Sequence, residues 1–245
     1  MDAKSLLSTL NKNGFVKITG LLNAGQIQTL QTECSRLLQY PAASWDNYIQ
    51  YSDRQQWESA HFSQRNRSRN YFDFIGLSSD LDDILNSVIG HRKIDLALRK
   101  NLGPKFRLWF AQIRQSTAHS KHLRIHQDLR QEVSLCILVE DAPTKAGATV
   151  FLPGSHRWPR ILPFFPFLTP GMLDRFTTGA TGKAGDIYLF LNDTWHGRNK
   201  ARSQTNTSLL LSFLPIQKSP KTRWAPSELV NKQGPALRKV MSQEN

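Results

Sequence analysis

Cysteine is scarce, acids are outnumbered, and nowhere does the chain run apolar for long. Among 245 residues there are only two cysteines, Cys34 and Cys136, far apart and in apolar surroundings. Two cysteines exclude a disulfide-dense scaffold and cannot build a zinc site alone, so reduced cytoplasmic thiols are expected. No stretch approaches the ~20 apolar residues that a membrane-spanning helix needs. The opening Met1-Asp2-Ala3-Lys4-Ser5-Leu6-Leu7 lacks the hydrophobic centre of a signal peptide, and a cytoplasmic location is expected. Internal repeats and low-complexity tracts are also lacking. So are helix-turn-helix, zinc-finger and aromatic RNA-binding signatures, which makes specific nucleic-acid recognition an unfavoured reading.

What is present is positive charge. Thirty-two Lys and Arg against nineteen acids give a net charge of +13 and a pI near 10.0. Basic residues gather at Arg65, Arg67 and Arg69, at Arg92, Lys93, Arg99 and Lys100, and at Lys218, Lys221 and Arg223. Such a field attracts anions of any kind: a phosphorylated substrate, acidic lipid headgroups at a membrane surface, or nucleic acid. A solvated basic surface without a dedicated partner is the competing reading. With 39% hydrophobic and 21% charged residues, the composition is that of a globular protein of one core-bearing domain.

The pattern divides the chain. Leu6 to Lys12 reads as a short helix stopped by Asn13-Gly14, and Phe15-Val16-Lys17-Ile18 as a strand. From Asn23 to Leu38, Ile27, Leu30, Cys34, Leu37 and Leu38 recur at helical spacing. Residues 41–75 carry Trp45, Tyr48, Tyr51, Trp57, Phe62, Tyr71, Phe72 and Phe74 without periodicity, fitting either a pocket lid or an irregular layer on a sheet. Ser79-Asp80-Leu81-Asp82 resembles a capping box opening another helix. Beyond residue 105 short strands are expected at 106–113, 124–129, 133–139, 149–152, 186–191 and 208–214, punctuated by Gly147, Pro153-Gly154, Gly179, Gly182 and Gly185. Helices followed by many strands predict a mainly β fold with flanking α-helices, a jelly roll enclosing a site between two sheets. After Gln217 the Pro- and Lys-rich segment is expected to wrap the surface or fray.

One constellation carries chemistry. His126-Gln127-Asp128 is answered by His196 within Asp193-Thr194-Trp195-His196-Gly197. Two histidines and a carboxylate form the facial triad that holds ferrous iron with open coordination positions. On a strand, residues i and i+2 share a face, so His126 and Asp128 can approach one ion, and His196, closing the run 186–191, can supply the third ligand. Trp195 and the aromatics of 45–74 are candidate walls of the pocket. His156 is expected to orient backbone in its turn, and His119 and His122 are not needed to complete three ligands.

Beyond these residues the chain resembles a known family. Asn13-Gly14-Phe15-Val16-Lys17-Ile18, Ile125-His126-Gln127-Asp128-Leu129, Glu140-Asp141-Ala142, Gly147-Ala148-Thr149-Val150-Phe151-Leu152-Pro153-Gly154-Ser155-His156, Gly185-Asp186 and Trp195-His196-Gly197 are similar, in order, to blocks of the phytanoyl-CoA dioxygenase-like proteins. The resemblance spans about residues 13–215. It implies a single domain over 1–245: a helical part to about 105, a cupin-like double-stranded β-helix over about 106–216, and a basic extension over 217–245. It also implies an Fe(II) centre on His126, Asp128 and His196, 2-oxoglutarate as co-substrate, and O2-dependent hydroxylation of an organic substrate. In related halogenases a small residue at the position of Asp128 frees a site for halide, so the carboxylate favours hydroxylation.

One departure stands out. The resemblance implies an arginine eleven residues beyond the distal histidine, gripping the far carboxylate of 2-oxoglutarate, and this chain has Thr207 there. A lone hydroxyl does not replace a bidentate guanidinium–carboxylate pair. Arg198, two residues past His196 and on its face if the strand continues, is a candidate to take over, at a place where the family often has a small hydroxyl residue. Arg114 and Arg202 are further candidates. Three readings stay open at this level: an oxygenase acting on a small-molecule or lipid-linked, anionic substrate; a non-catalytic anion-binding protein on the same scaffold; and a basic module for nucleic acid or membrane surface whose metal motif is accidental.

Overall fold

The computed structural model describes residues 2–39, 69–72, 74–118, 120–158, 168–201, 205–218 and 227–242. Trp45, Tyr48, Tyr51, Trp57, Phe62, His61, His119 and Arg202 lie outside them, and with them most of the segment 41–75 that fits either a pocket lid or an irregular layer.

Among the described residues two antiparallel sheets face each other. The larger has six strands: β1 (Phe15–Ile18), β2 (Arg69–Phe72), β3 (Phe106–Ser116), β5 (Val133–Leu138), β8 (Ile187–Leu191) and β10 (Asn206–Pro215), in the order β1-β8-β5-β10-β3-β2. The smaller holds β4 (Leu123–His126), β9 (His196–Arg198), β6 (Thr149–Phe151) and β7 (Thr178–Gly179), in the order β4-β9-β6-β7. This mainly β, jelly-roll architecture with flanking helices is the expected one. The short strands β2, β7 and β9 had no separate sequence signal.

Alternation along the large sheet builds two cores. Leu209, Leu211 and Phe213 of β10, Leu135 and Ile137 of β5 and Ile113 of β3 point outward and meet the helices. Leu210, Cys136, Tyr188 and Phe190 point inward and pack with Phe151 of the small sheet. A strand buried on both faces reads as a continuous apolar run, as Leu209-Leu210-Leu211 does.

The helical layer comprises α1 (Ala3–Asn13), α2 (Ala24–Leu37), α3 (Ser79–Gly90), α4 (Arg92–Leu102), α5 (Ser227–Lys232) and α6 (Pro235–Met241). Asn23 and Gln26 form a reciprocal capping box on α2. Ser78, one residue before the expected position, caps α3 by accepting from the Leu81 N–H at 3.2 Å. The basic run at 92–100 is helix α4, buried through Ile94, Ala97 and Leu98 with its cations outward. The C-terminal segment departs from expectation: instead of only wrapping or fraying, α6 inserts Leu237, Val240 and Met241 into the helix-side core. Asn86 of α3 fixes it, its Oδ1 accepting from Ala236 and Leu237 N–H at 2.8 and 3.2 Å. Short apolar spacing over one helical turn and a half is too brief to be read from sequence. Among the described residues no helix is long and apolar enough to cross a membrane.

Candidate metal centre and co-substrate pocket

The small sheet brings the three sequence-predicted ligands together. His126 ends β4 and His196 opens β9, and the two are direct strand partners. The expectation that His126 and Asp128 share one strand holds only in part. β4 stops at His126, and Asp128 lies just beyond, its N–H donating to the Asn192 carbonyl at 3.1 Å. Nor does His196 continue the strand 187–191. The chain leaves the large sheet after Leu191, turns through residues 192–194 and enters the small sheet.

Neighbouring residues fix both imidazoles. His126 Nδ1 lies 2.8 Å from the Arg124 carbonyl and His196 Nδ1 2.8 Å from the Thr194 carbonyl. A ring that donates from Nδ1 presents its Nε2 lone pair, and both Nε2 atoms face Asp128: His126 to Oδ1 at 3.5 Å and His196 to Oδ2 at 3.2 Å. Candidate ligand atoms of all three residues lie within 4.8 Å of one another. Ligands at right angles, each about 2.1 Å from a cation, sit about 3 Å apart, so the spacing suits one ion. An N,N,O set on one side suits non-haem iron, and the residues fit it. Among the described residues this is the only such cluster. Burial and the neighbouring His196 hold His126 below the usual histidine range. Burial opposes charge on His196 too, but the Asp128 carboxylate draws it above that range.

Supporting contacts explain other motifs. Gly197 lets β4 close on β9, because a Cβ there would sit 2.7 Å from the Leu123 carbonyl oxygen. Ser155 of the Pro-Gly-Ser-His turn accepts from the Trp195 N–H at 2.9 Å and donates to the Leu152 carbonyl at 2.6 Å, anchoring the strand that carries His196. His156 lies 3.1 Å from the Asn11 carbonyl, away from the three ligands, as its turn position implied. Trp195 is not a wall of the pocket. It faces the opposite side of the small sheet and packs with Ile125 and Val150.

Deeper in the same space sit two arginines. Arg198 is 2% exposed and shares the His196 face of β9, two residues or about 7 Å further on. It donates to the Lys121 carbonyl at 3.1 Å, and its strand partner on β6 is Thr149. Arg114 reaches across from the large sheet to the Thr149 hydroxyl at 2.5 Å. Burial, then the charge of Arg114, push the Arg198 guanidinium down to about 9, still cationic at neutral pH. Cys136 lines the same region beside Arg114, Ser208 and Thr149, with its thiol raised by burial.

Thr207 is elsewhere. It alternates with Ser208, pairs with Gln115, and donates its hydroxyl to Glu140 at 3.0 Å while accepting from Gln115 at 3.3 Å. Its neighbours Leu209 and Leu211 on that face pack against helices, so Thr207 faces the helical layer, away from the pocket. Ser208, the strand partner of Arg114, holds the inward position. Residues that sequence reasoning missed are Asn192 and Glu132. Asn192 Nδ2 donates to Asp128 Oδ2 at 3.3 Å. Burial, then the charge of Asp128, push Glu132 up to about 7. Neither has a motif; each is found only because its backbone lies where strands end.

A mainly β jelly roll with a two-histidine, one-carboxylate centre between its sheets defines the class: non-haem iron oxygenases of the cupin type. The chain matches the family described as phytanoyl-CoA dioxygenase (PhyH) over residues 10–208, and it belongs to that family. Its cofactors are accordingly Fe(II) and 2-oxoglutarate, and it is an oxygenase. Solved structures share the fold. EctD from S. alaskensis, with 2-oxoglutarate and 5-hydroxyectoine, aligns at a TM-score of 0.67 and 18% identity over 97% of this chain and 86% of that one. The epimerase SnoN, in complex with Fe3+, alpha ketoglutarate and nogalamycin RO, aligns at 0.64 and 18% over 97% and 93%. HygX from Streptomyces hygroscopicus, with nickel, 2-oxoglutarate and hygromycin B, aligns at 0.62 and 16% over 91% and 90%. No curated protein matches the sequence significantly.

Proposed function

We propose that this oxygenase hydroxylates a C–H bond of an anionic small-molecule or lipid-linked substrate, with iron on His126, Asp128 and His196 and with 2-oxoglutarate held by Arg198 and Arg114. The observation that carries the reading is the convergence of two Nε2 atoms and one carboxylate on a common point, with both Nδ1 atoms occupied by backbone carbonyls. When bound, iron supplies the oxidising chemistry that couples decarboxylation of 2-oxoglutarate to succinate and CO2 with insertion of oxygen into the substrate.

The residues do the rest. His126 and His196 fix one edge of the coordination shell, and Asp128 fills the position that a halide would need. Arg198 and Arg114 present two guanidiniums to the far carboxylate of the co-substrate, a charge-assisted pairing that suits a fork of N–H donors. Phe190, its ring 5.4 Å from that of His196, shields the ligand from water on the large-sheet side. The +13 charge favours an anionic substrate, whether phosphorylated, a sugar acid, an acyl thioester or at a lipid surface. Buried, unbridged Cys34 and Cys136 suit the reducing cytoplasm.

The test is succinate formation from 2-oxoglutarate with Fe(II) and ascorbate, with and without a panel of anionic substrates. Turnover that requires all components and ceases in His126→Ala supports the reading. Tight binding of Fe(II) and 2-oxoglutarate with no succinate under any condition overturns it in favour of a binding protein.

A further inference from the structure

The ligand Asp128 sits outside any strand, so something other than a ladder must hold its carboxylate in place. Two residues where the β5–β8 ladder ends provide the frame. Glu132 and Asn192 flank the last pair of the β5–β8 ladder, Val133 with Leu191. The Asn192 N–H donates to the Glu132 carbonyl at 2.9 Å, and the Asn192 carbonyl accepts from the Asp128 N–H at 3.1 Å. The Asn192 side chain then donates to Asp128 Oδ2 at 3.3 Å.

Glu132 closes the other side of the loop. Its side chain is buried, at 3% exposure, and its two oxygens have separate tasks. Oε1 accepts from the Ser212 hydroxyl on β10, and Oε2 accepts from the Leu129 N–H at 3.3 Å, the residue that follows the ligand. Its own N–H returns to the Leu129 carbonyl at 3.2 Å, closing a turn in which Gln131 takes a left-handed φ of 63°. Ser134 and Ser212, opposite each other on β5 and β10, join hydroxyls at 3.2 Å and continue the brace into the large sheet. An acid buried this deeply destabilises the fold unless its hydrogen bonds are used. Here one carboxylate oxygen holds the segment bearing Asp128, at Leu129, and the other anchors that segment to Ser212 of β10.

We propose that Glu132 is a positioning residue for the metal centre: it ties the 128–132 turn to β10 and, with Asn192, sets the direction of the Asp128 carboxylate. Glu132 is not itself among the converging ligands. Groups behind a ligand act this way in metal sites generally, and their loss weakens metal affinity by about 10–100-fold.

This inference rests on the metal centre proposed above, and the experiment separates the two. Co(II) and Fe(II) dissociation constants are measured by chelator competition on the full chain for wild type, Glu132→Gln, Glu132→Ala, Asn192→Ala and the double alanine variant, with thermal unfolding alongside. The expected results are a 10–100-fold loss for Glu132→Ala, a loss of at most a few-fold for Glu132→Gln, which keeps the shape and an acceptor for Leu129, and a double variant no worse than about the weaker single one, because both act through Asp128. If Glu132→Ala lowers the unfolding temperature but leaves both constants unchanged, the residue is structural and the proposal is overturned. A wild type that binds neither ion sinks the metal-centre reading instead. Should Glu132→Ala fail to fold, Ser212→Ala removes one hydroxyl of the same brace; unchanged affinity there also overturns the proposal, and weakened affinity upholds it.

Discussion

His126 and His196 are direct cross-strand partners on β4 and β9, with ring centroids 4.5 Å apart. Their place on one face of the small sheet turns two distant motifs into one edge of a coordination shell. Asp128 completes it from a turn, not a strand, which makes the carboxylate the ligand most dependent on its surroundings.

Removing that carboxylate leaves two imidazoles. Asp128→Ala is expected to lower Fe(II) affinity by about 100-fold or more, at least as much as loss of a supporting group would, and to abolish succinate formation. Chelator competition and a coupled 2-oxoglutarate assay check this.

Arg198 and Thr207 are predicted to differ sharply. Losing a charge-assisted pairing costs roughly 1.5–3 kcal/mol, so Arg198→Ala is expected to raise the KM for 2-oxoglutarate by about 10–100-fold, with Arg114→Met acting in the same direction. Thr207→Ala should leave that KM unchanged. An unaltered KM in Arg198→Ala removes the arginine from the proposed pocket.

Restoring an arginine at the family's position should not help. Thr207→Arg in the Arg198→Ala background places a guanidinium toward the helical layer, beside Glu140 and Gln115. The expected outcome is a lower unfolding temperature and no recovery of 2-oxoglutarate binding, measured by thermal denaturation and titration.

Asp82 makes stability depend on pH. Burial pushes its carboxyl up to about 7 from an ordinary 3.8. The folded protein therefore holds the proton more tightly than the unfolded chain, and the stabilisation is full below about pH 4 and lost as pH rises through about 7. Asp82→Asn keeps an acceptor for the Gly76 N–H, now at 2.8 Å, without the charge. The variant is expected to gain on wild type by on the order of a few kcal/mol at pH 8, with the two denaturation curves converging toward pH 4.

Leu237 tests how firmly α6 belongs to the core. At 0% exposure, its truncation to alanine is expected to cost about 2–5 kcal/mol, read as a shift in urea midpoint. A shift below the error of the measurement would make the helix peripheral.

Beyond residue 105, strands β3, β4, β5, β6, β8 and β10 were legible because alternation and glycine punctuation are local signals, and so were α1, α2 and α3; β7 and β9 were too short to announce themselves. The two cores were legible in composition but not in allocation. Leu209, Leu210 and Leu211 read alike, and only the register of β10 sends two of them to the helices and one to the interior. Trp195 was misassigned for the same reason: adjacent to His196, it points to the other face of a three-residue strand too short to announce its pleat.

By itself the sequence determined which residue types could hold iron, because His-x-Asp and a later Trp-His-Gly carry their chemistry in the side chains. Only the tertiary structure decided what each neighbour does. A strand reverses the facing of its side chains at every residue, so the sheet register, which no local pattern fixes, turned Thr207 toward the helices and brought Arg198 to face Thr149 beside Arg114. Glu132 and Asn192 were invisible for a related reason: their meaning lies in hydrogen bonds between the ends of strands, and those ends meet only when two sheets have closed over one pocket.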